Sequence, residues 1–108
     1  MAKSSIRVDI LIPLYYNDGT EIEDEKFATI NDILIDRFKG YTQYNGDIQG
    51  SWRSNSGIQY TDKHKQISVI CFDTRVNRIF FEQFKKQLEE LLNQESIFIT
   101  AIKNVVQM

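Results

Sequence analysis

The chain has 108 residues, a formal net charge of −2, and 42% apolar and 26% charged residues. This length fits a single domain spanning residues 1–108, and the composition excludes a disordered chain. The slight excess of acidic residues argues against nonspecific nucleic-acid binding, which needs a dense basic surface. No apolar stretch approaches a membrane span and no secretion signal is evident, so the sequence predicts a cytoplasmic protein.

The first predicted elements are a strand and a helix. Side chains alternate between apolar and polar at the start of residues 6–14, which predicts a strand with one solvated face. Pro13 cannot donate a backbone hydrogen bond and marks an edge or the end of this strand. Apolar residues then recur at intervals of three and four across residues 24–38, which indicates an amphipathic helix. Acidic residues at its start suit the helix dipole, and Gly40 is the expected helix-ending residue.

The remaining elements follow a glycine-rich stretch. Turn signals dominate residues 41–57, where we expect a hairpin closed by Ser54-Asn55-Ser56-Gly57. Residues 66–72 predict a strand, residues 76–93 predict a second amphipathic helix, and residues 95–106 predict a final strand.

This order of elements predicts an α+β protein of the ferredoxin-like βαββαβ type. Its four-stranded antiparallel sheet would carry two helices on one face and leave the other face bare. The strands over 66–72 and 95–106 are apolar on both sides. Because soluble proteins rarely expose a large apolar patch, we expect a homodimer that pairs its sheets. The alternative is that residues 41–57 fold over the bare face.

A short motif accompanies this order of elements. The first strand ends in Pro-x-x-Tyr-Asn-Asp-Gly, the first helix ends in Gly, and a Gly-x-Trp and a later Gly follow. In these features the chain resembles small uncharacterised bacterial proteins of ferredoxin-like, dimeric α/β-barrel type. The resemblance implies a fold and carries no established activity, and Lys39-Gly40 stands where those proteins tend to have Gly-Gly. The matching residues are Pro13, Tyr16, Asn17, Asp18, Gly19, Gly40, Gly50, Trp52 and Gly57.

The loop after the first strand is the first candidate site. Tyr15 and Tyr16 lie where this strand leaves the sheet, and we expect Tyr16 to lie beside any small ligand. Asp18 could join Glu21 and Glu23 around Mg²⁺ or Ca²⁺, but the spacing is not that of an EF-hand loop. Asn-Asp-Gly is ordinary turn chemistry, and acidic residues before a helix stabilise it without an ion. We therefore favour a turn followed by an acidic helix start.

The predicted hairpin carries the second candidate site. Trp52, Arg53, Tyr60 and Asp62 combine aromatic surface with charge on neighbouring arms. Such residues line small-molecule pockets or form interface hot spots, although simple packing of a tryptophan over the sheet is the alternative. His64, between two lysines, is predicted to be exposed.

The sequence therefore favours a binding or interaction module without a cofactor. Its ligand would lie between the sheet, the Trp52 hairpin and the loop over residues 15–19. One alternative is a metal-dependent phosphodiesterase or nuclease in which Asp18 is a ligand. The other is a small-substrate enzyme that transfers protons. The residues considered for that transfer are Tyr16, Arg53, Tyr60 and His64.

Overall fold

The computed structural model describes residues 4–44 and 48–103, apart from the side chains of Trp52 and Tyr60. Within these residues the chain forms five strands and two helices. The predicted α+β architecture is confirmed. The elements are β1 (Ser5–Pro13), α1 (Asp24–Phe38), β2 (Thr42–Gln43), β3 (Ile48–Arg53), β4 (Gln59–Phe72), α2 (Arg75–Leu91) and β5 (Phe98–Lys103). Strand β1 lies at the centre of an antiparallel sheet, between β4 and β5.

The strand count differs from the four that the sequence predicts. Strand β4 has 14 residues, and two separate segments pair with it on the same side. The short β2 pairs with its second half, whereas β3 pairs with residues 59–64 in its first half. The described part of residues 41–57 therefore extends the sheet as strands and a hairpin turn, and residues 45–47 lie outside the described part.

The hydrophobic core lies between one face of the sheet and the two helices. Alternate residues of β1 and β4 point to this side, as the predicted strand pattern requires. Full burial of an aliphatic or aromatic side chain stabilises a fold by about 1.5–3 kcal/mol. Within the described ranges, no helix has the length and apolar character needed to cross a bilayer. The most completely buried core residues are Val8, Ile10, Ile12, Ile30, Leu34, Ile67, Val69, Phe84, Leu88, Leu92 and Ile97.

The opposite side of the sheet, here called the uncovered face, is covered by neither helix of the described chain. Its centre is polar: Ser68 donates a 2.6 Å hydrogen bond to Asp9 Oδ1, and Arg7 also donates to the Asp9 carboxylate. Around this centre lie apolar side chains, and Phe98 and Phe72 keep 61% and 54% of their surface exposed. The uncovered face comprises Ser5, Arg7, Asp9, Leu11, Gln66, Ser68, Ile70, Phe72, Phe98, Thr100 and Ile102.

Two predicted chain reversals had different outcomes. The hairpin turn is confirmed, because Ser54 N–H donates to the Ile58 carbonyl at 2.8 Å and Gly57 has a φ of 87°. The prediction that Gly40 ends the first helix is wrong by one position. Lys39 adopts the left-handed conformation at φ 65°, and its N–H donates to the carbonyl of Ile35.

Candidate functional site

A cleft of about 780 Å³ opens at the carboxyl end of β1, and we call it the strand-end cleft. Leu11 pairs with Phe98 of β5, and Pro13 pairs with His64 of β4. Because paired residues in neighbouring strands point to the same side, these four side chains form a floor continuous with the uncovered face. Two loops form the walls. The lining residues are Leu11, Pro13, Tyr15, Tyr16, Asn17, Gly19, Thr61, Asp62, Lys63, His64, Gln94, Ser96, Ile97 and Phe98.

The first wall is the turn that follows β1. Tyr16 N–H donates to the carbonyl of Thr20 at 2.8 Å, and Gly19 N–H donates to the carbonyl of Tyr16 at 2.9 Å. Gly19 has a φ of 89°, a conformation that side-chain-bearing residues rarely adopt. The predicted turn is thus confirmed. It leaves Tyr15 40% exposed and Tyr16 half-buried, both against the cleft.

The hydroxyl of Tyr16 is held between two charged side chains. It donates a hydrogen bond to the Glu23 carboxylate and accepts one from the Lys26 ammonium group. The hydrogen bond from Tyr16 is the main reason that the pKa of Glu23 is lowered, and the bond to Tyr16 is the main reason that the pKa of Lys26 is raised. This network fixes the Tyr16 ring at the edge of the cleft.

Asp18 belongs to the turn rather than to the cleft. Its carboxylate accepts hydrogen bonds from the backbone N–H and the hydroxyl of Thr20, which lower the pKa of Asp18. Asp18 lines a separate, shallower depression of about 500 Å³ on the other side of the turn. Among the described residues, no three histidine, cysteine or acidic side chains come close enough together to hold a metal ion. The alternative role of Asp18 as a metal ligand therefore has no supporting set of partners among the residues described.

His64 differs most from its prediction. It is half-buried rather than exposed, and its Nδ1 atom is buried without a hydrogen-bond partner in the described part of the chain. A Cβ placed on Gly50 would stand 4.0 Å from His64 Cε1, so this glycine leaves open space beside the ring. A buried polar atom without a partner costs free energy. A ligand in the cleft could supply the missing hydrogen bond to His64.

The structure brings together only some of the predicted site residues. Tyr15, Tyr16 and Asp62 line the cleft, whereas Asp18 and Arg53 do not. Arg53 pairs with Gln59 beside the hairpin turn, beyond the stretch of β4, residues 61–64, that lines the cleft. The backbones of Trp52 and Tyr60 pair with each other, and their side chains lie outside the described structure.

Phe98 and Leu11 are cleft residues that the sequence analysis did not select. Phe98 is 61% exposed and lies beside Leu11 through the pairing of β5 with β1. The alternation of the final strand already separates Phe98 from its neighbours, the buried Ile97 and the partly buried Ile99. Aligning the final strand against the first strand would have placed Phe98 beside Leu11, because antiparallel partners share a face.

The class defined by this architecture is the small ferredoxin-like α+β fold, as the sequence predicts, and solved structures confirm it. No family model and no curated protein matches the chain. A phage SAM lyase in complex with S-methyl-5′-thioadenosine is similar over 100% of this chain and 88% of its own, with a TM-score of 0.69 and 17% identity. A phage SAM lyase in its apo state is similar with a TM-score of 0.66 and 16% identity.

A second solved protein has the same fold. The divalent ion tolerance protein CutA1 from Ehrlichia chaffeensis is similar over 100% of this chain and 88% of its own, with a TM-score of 0.63 and 10% identity. At these identities the likenesses establish the fold of this chain and leave its activity to be argued from the site.

Proposed function

We propose that this protein binds a small adenosine-containing thioether or sulfonium compound in the strand-end cleft. The observation that carries the proposal is the composition of the cleft: exposed aromatic rings of Tyr15 and Phe98 lie with a carboxylate, Asp62, and the imidazole of His64 around one cavity of about 780 Å³. Small-molecule sites have this size and combine apolar surface with a few polar groups.

The adenine and ribose parts of such a ligand have chemical counterparts in the cleft. An adenine ring can stack on a tyrosine or phenylalanine face, and ribose hydroxyls can donate to the Asp62 carboxylate. The buried Nδ1 of His64 has no hydrogen-bond partner among the described side chains and needs a hydrogen-bonding group. The fold-level likeness to a SAM lyase solved with S-methyl-5′-thioadenosine supports choosing this class of ligand first.

Isothermal titration calorimetry with S-methyl-5′-thioadenosine tests the binding proposal. Tyr15→Ala should weaken binding by about tenfold, since stacking of a base on an aromatic ring is worth roughly 1–3 kcal/mol. Tyr44→Ala is the matched control, because Tyr44 has a similar exposure, 45% against 40%, and does not line the cleft. Absence of heat at millimolar ligand, or equal losses in both variants, would remove the proposal.

A second candidate is cleavage of S-adenosylmethionine, and the meeting of Tyr16 and His64 at one cleft favours it. These are two of the residues that the sequence suggested for proton transfer, and Tyr16 is held by an ammonium and a carboxylate group. Liquid chromatography of S-adenosylmethionine incubated with the protein measures this directly. Consumption that Tyr16→Phe slows would support an enzyme, and intact substrate after prolonged incubation would leave a binding module.

We also propose that two copies associate through the uncovered face. Phe98, Phe72, Ile102 and Ile70 keep 61%, 54%, 44% and 43% of their surface exposed on one side of the sheet. A patch of this kind marks an interaction surface in a soluble protein, and pairing of two sheets is one way to bury it.

Light scattering at micromolar protein measures this association. The expected mass is about twice the 12.7 kDa of one chain. Ile102→Glu should shift the protein toward the monomer, because the new carboxylate would lose its hydration at the interface. The matched control is Ile79→Glu, since Ile79 is 40% exposed on α2, away from the sheet face. A monomeric wild type would contradict the proposal.

A further inference from the structure

The floor of the strand-end cleft and the uncovered face are one continuous surface. Leu11 and Phe98 belong to both, since they line the cleft and lie beside each other at one end of the face. Farther along the same side of the sheet, Ile102 pairs with Arg7, which pairs with Ile70 on its other side. No boundary in the described structure separates the ligand site from the apolar surface.

The cleft is open above this shared floor. The turn over residues 15–19 and the loop containing Gln94 and Ser96 form its sides, and Phe98 remains 61% exposed between them. A ligand stacked on Phe98 in one copy alone would therefore keep part of its own surface in water. Small-molecule sites usually enclose most of the surface of their ligand.

We infer that the partner copy seated on the uncovered face completes the strand-end cleft, so that ligand binding and self-association strengthen each other. This inference rests on both parts of the proposed function. A copy that covers Phe98 and Leu11 places its own sheet over the open side of the cleft. The ligand then contacts both copies, and removal of the ligand weakens the dimer.

The charges of the uncovered face fit a second copy better than a differently charged partner. Arg7 and Asp9 lie at its centre and neutralise each other through two hydrogen bonds of 3.1 and 3.2 Å. The face thus has no net charge that would repel an identical face. A two-fold arrangement brings the same patch to both sides and lets Arg7 of one copy meet Asp9 of the other.

Reciprocity makes the inference measurable in two independent ways. If the ligand favours the dimer by some factor, dimerisation must favour the ligand by the same factor. We expect a factor of at least about fivefold, the lower end of typical coupling between sites. Sedimentation velocity with and without saturating S-methyl-5′-thioadenosine gives the first factor. Calorimetry of the wild-type protein and of Ile102→Glu gives the second.

Ile102→Glu suits this experiment because Ile102 lies on the uncovered face and does not line the cleft. Ile79→Glu controls for the added charge, and the far-ultraviolet circular dichroism of both variants checks their folding. Titration of wild-type protein diluted below its dimer dissociation constant repeats the measurement without any substitution. It keeps the test decisive if the variant does not fold.

The outcomes distinguish a failure of the coupling from a failure of the proposed ligand binding or of the proposed association. Tighter dimerisation with ligand, and equally weaker ligand binding by the monomer, would support the inference. A ligand that binds monomer and dimer with the same affinity would overturn it while leaving both proposed functions intact. No ligand binding at any concentration would refute the proposed ligand site, and no dimer with or without ligand would refute the proposed association. Either result would refute the coupling as well.

Discussion

Removal of the Ser68 hydroxyl should destabilise the protein although this residue lies on the uncovered face. Ser68 is only 6% exposed, and its hydroxyl donates a 2.6 Å hydrogen bond to Asp9 Oδ1. Asp9 also accepts two longer hydrogen bonds from Arg7. In Ser68→Ala the carboxylate keeps the arginine but loses its shortest contact.

The expected loss is about 1.5–2 kcal/mol in the free energy of unfolding. A hydrogen bond to a charged group contributes about 1.5–3 kcal/mol when its partners are removed from water. The Asp9 side chain keeps 14% of its surface exposed, so water can replace part of the lost bond and the lower half of that range applies. A domain with a total stability of roughly 5–15 kcal/mol would lose a measurable fraction of it.

Urea denaturation measures this loss as a decrease of roughly 1 M in the unfolding midpoint, for a slope of about 1–3 kcal/mol per molar. The titration is repeated at a tenfold lower protein concentration, because association adds to apparent stability. Thr100→Val is the control: Thr100 pairs with Asp9 from the other side and is exposed, and this change also removes a hydroxyl. Equal shifts in the two variants would refute the role of the Ser68 hydrogen bond.

Three further predictions concern the turn, the core and the cleft. Tyr16→Phe should raise the pKa of Glu23 in an NMR titration, because the hydrogen bond from Tyr16 is its main cause of lowering. A carboxyl group whose pKa is lower in the folded than in the unfolded protein stabilises the fold at pH values above its unfolded pKa, and this stabilisation is lost as the pH falls through its folded pKa. The wild type should therefore lose more stability in acid than the variant. Equal dependence of stability on pH in the two proteins would contradict this. Phe84→Ala, at a residue 1% exposed, should lower the free energy of unfolding by about 3–5 kcal/mol in urea, and a loss below about 1 kcal/mol would contradict its place in the core. Gly50→Val should keep or raise the free energy of unfolding, since valine favours strands. The same change should weaken binding of S-methyl-5′-thioadenosine in calorimetry, because the valine side chain would fill the space beside His64. Unchanged affinity would place the ligand elsewhere.

The helices were predictable because their signals are local. Helix α1 runs from Asp24 to Phe38, the residues that the periodic pattern indicates, since its apolar stripe and acidic first turn agree. The first half of β4 has no such signal. Residues 59–63 are almost all polar, since the described side chains among them are exposed, and their strand conformation comes from pairing with β3.

The site was predicted in part for a related reason. Pro13 marks the end of the first strand, and Tyr15 and Tyr16 just after it line the cleft, while their part in binding stays a prediction. His64 was misjudged because its lysine neighbours in sequence suggested an exposed position. In a strand, neighbours point to opposite faces, and Lys65 lies over the ring of Phe27 on the helix side, 4.5 Å from the ring centre. The flanking charges therefore say little about the surroundings of His64.

The polar centre of the uncovered face constrains how two copies can associate. Apolar contacts supply most of the free energy of such an interface but fix its register only weakly, because they have no direction. Arg7 uses two of its five N–H donors on Asp9, and its side chain is still 39% exposed. An arrangement that buried its other donors without acceptors would be costly, whereas one that brings the second copy's carboxylate within reach would not. In the proposed dimer, the Arg7–Asp9 pair would therefore select among the arrangements that the surrounding apolar residues permit.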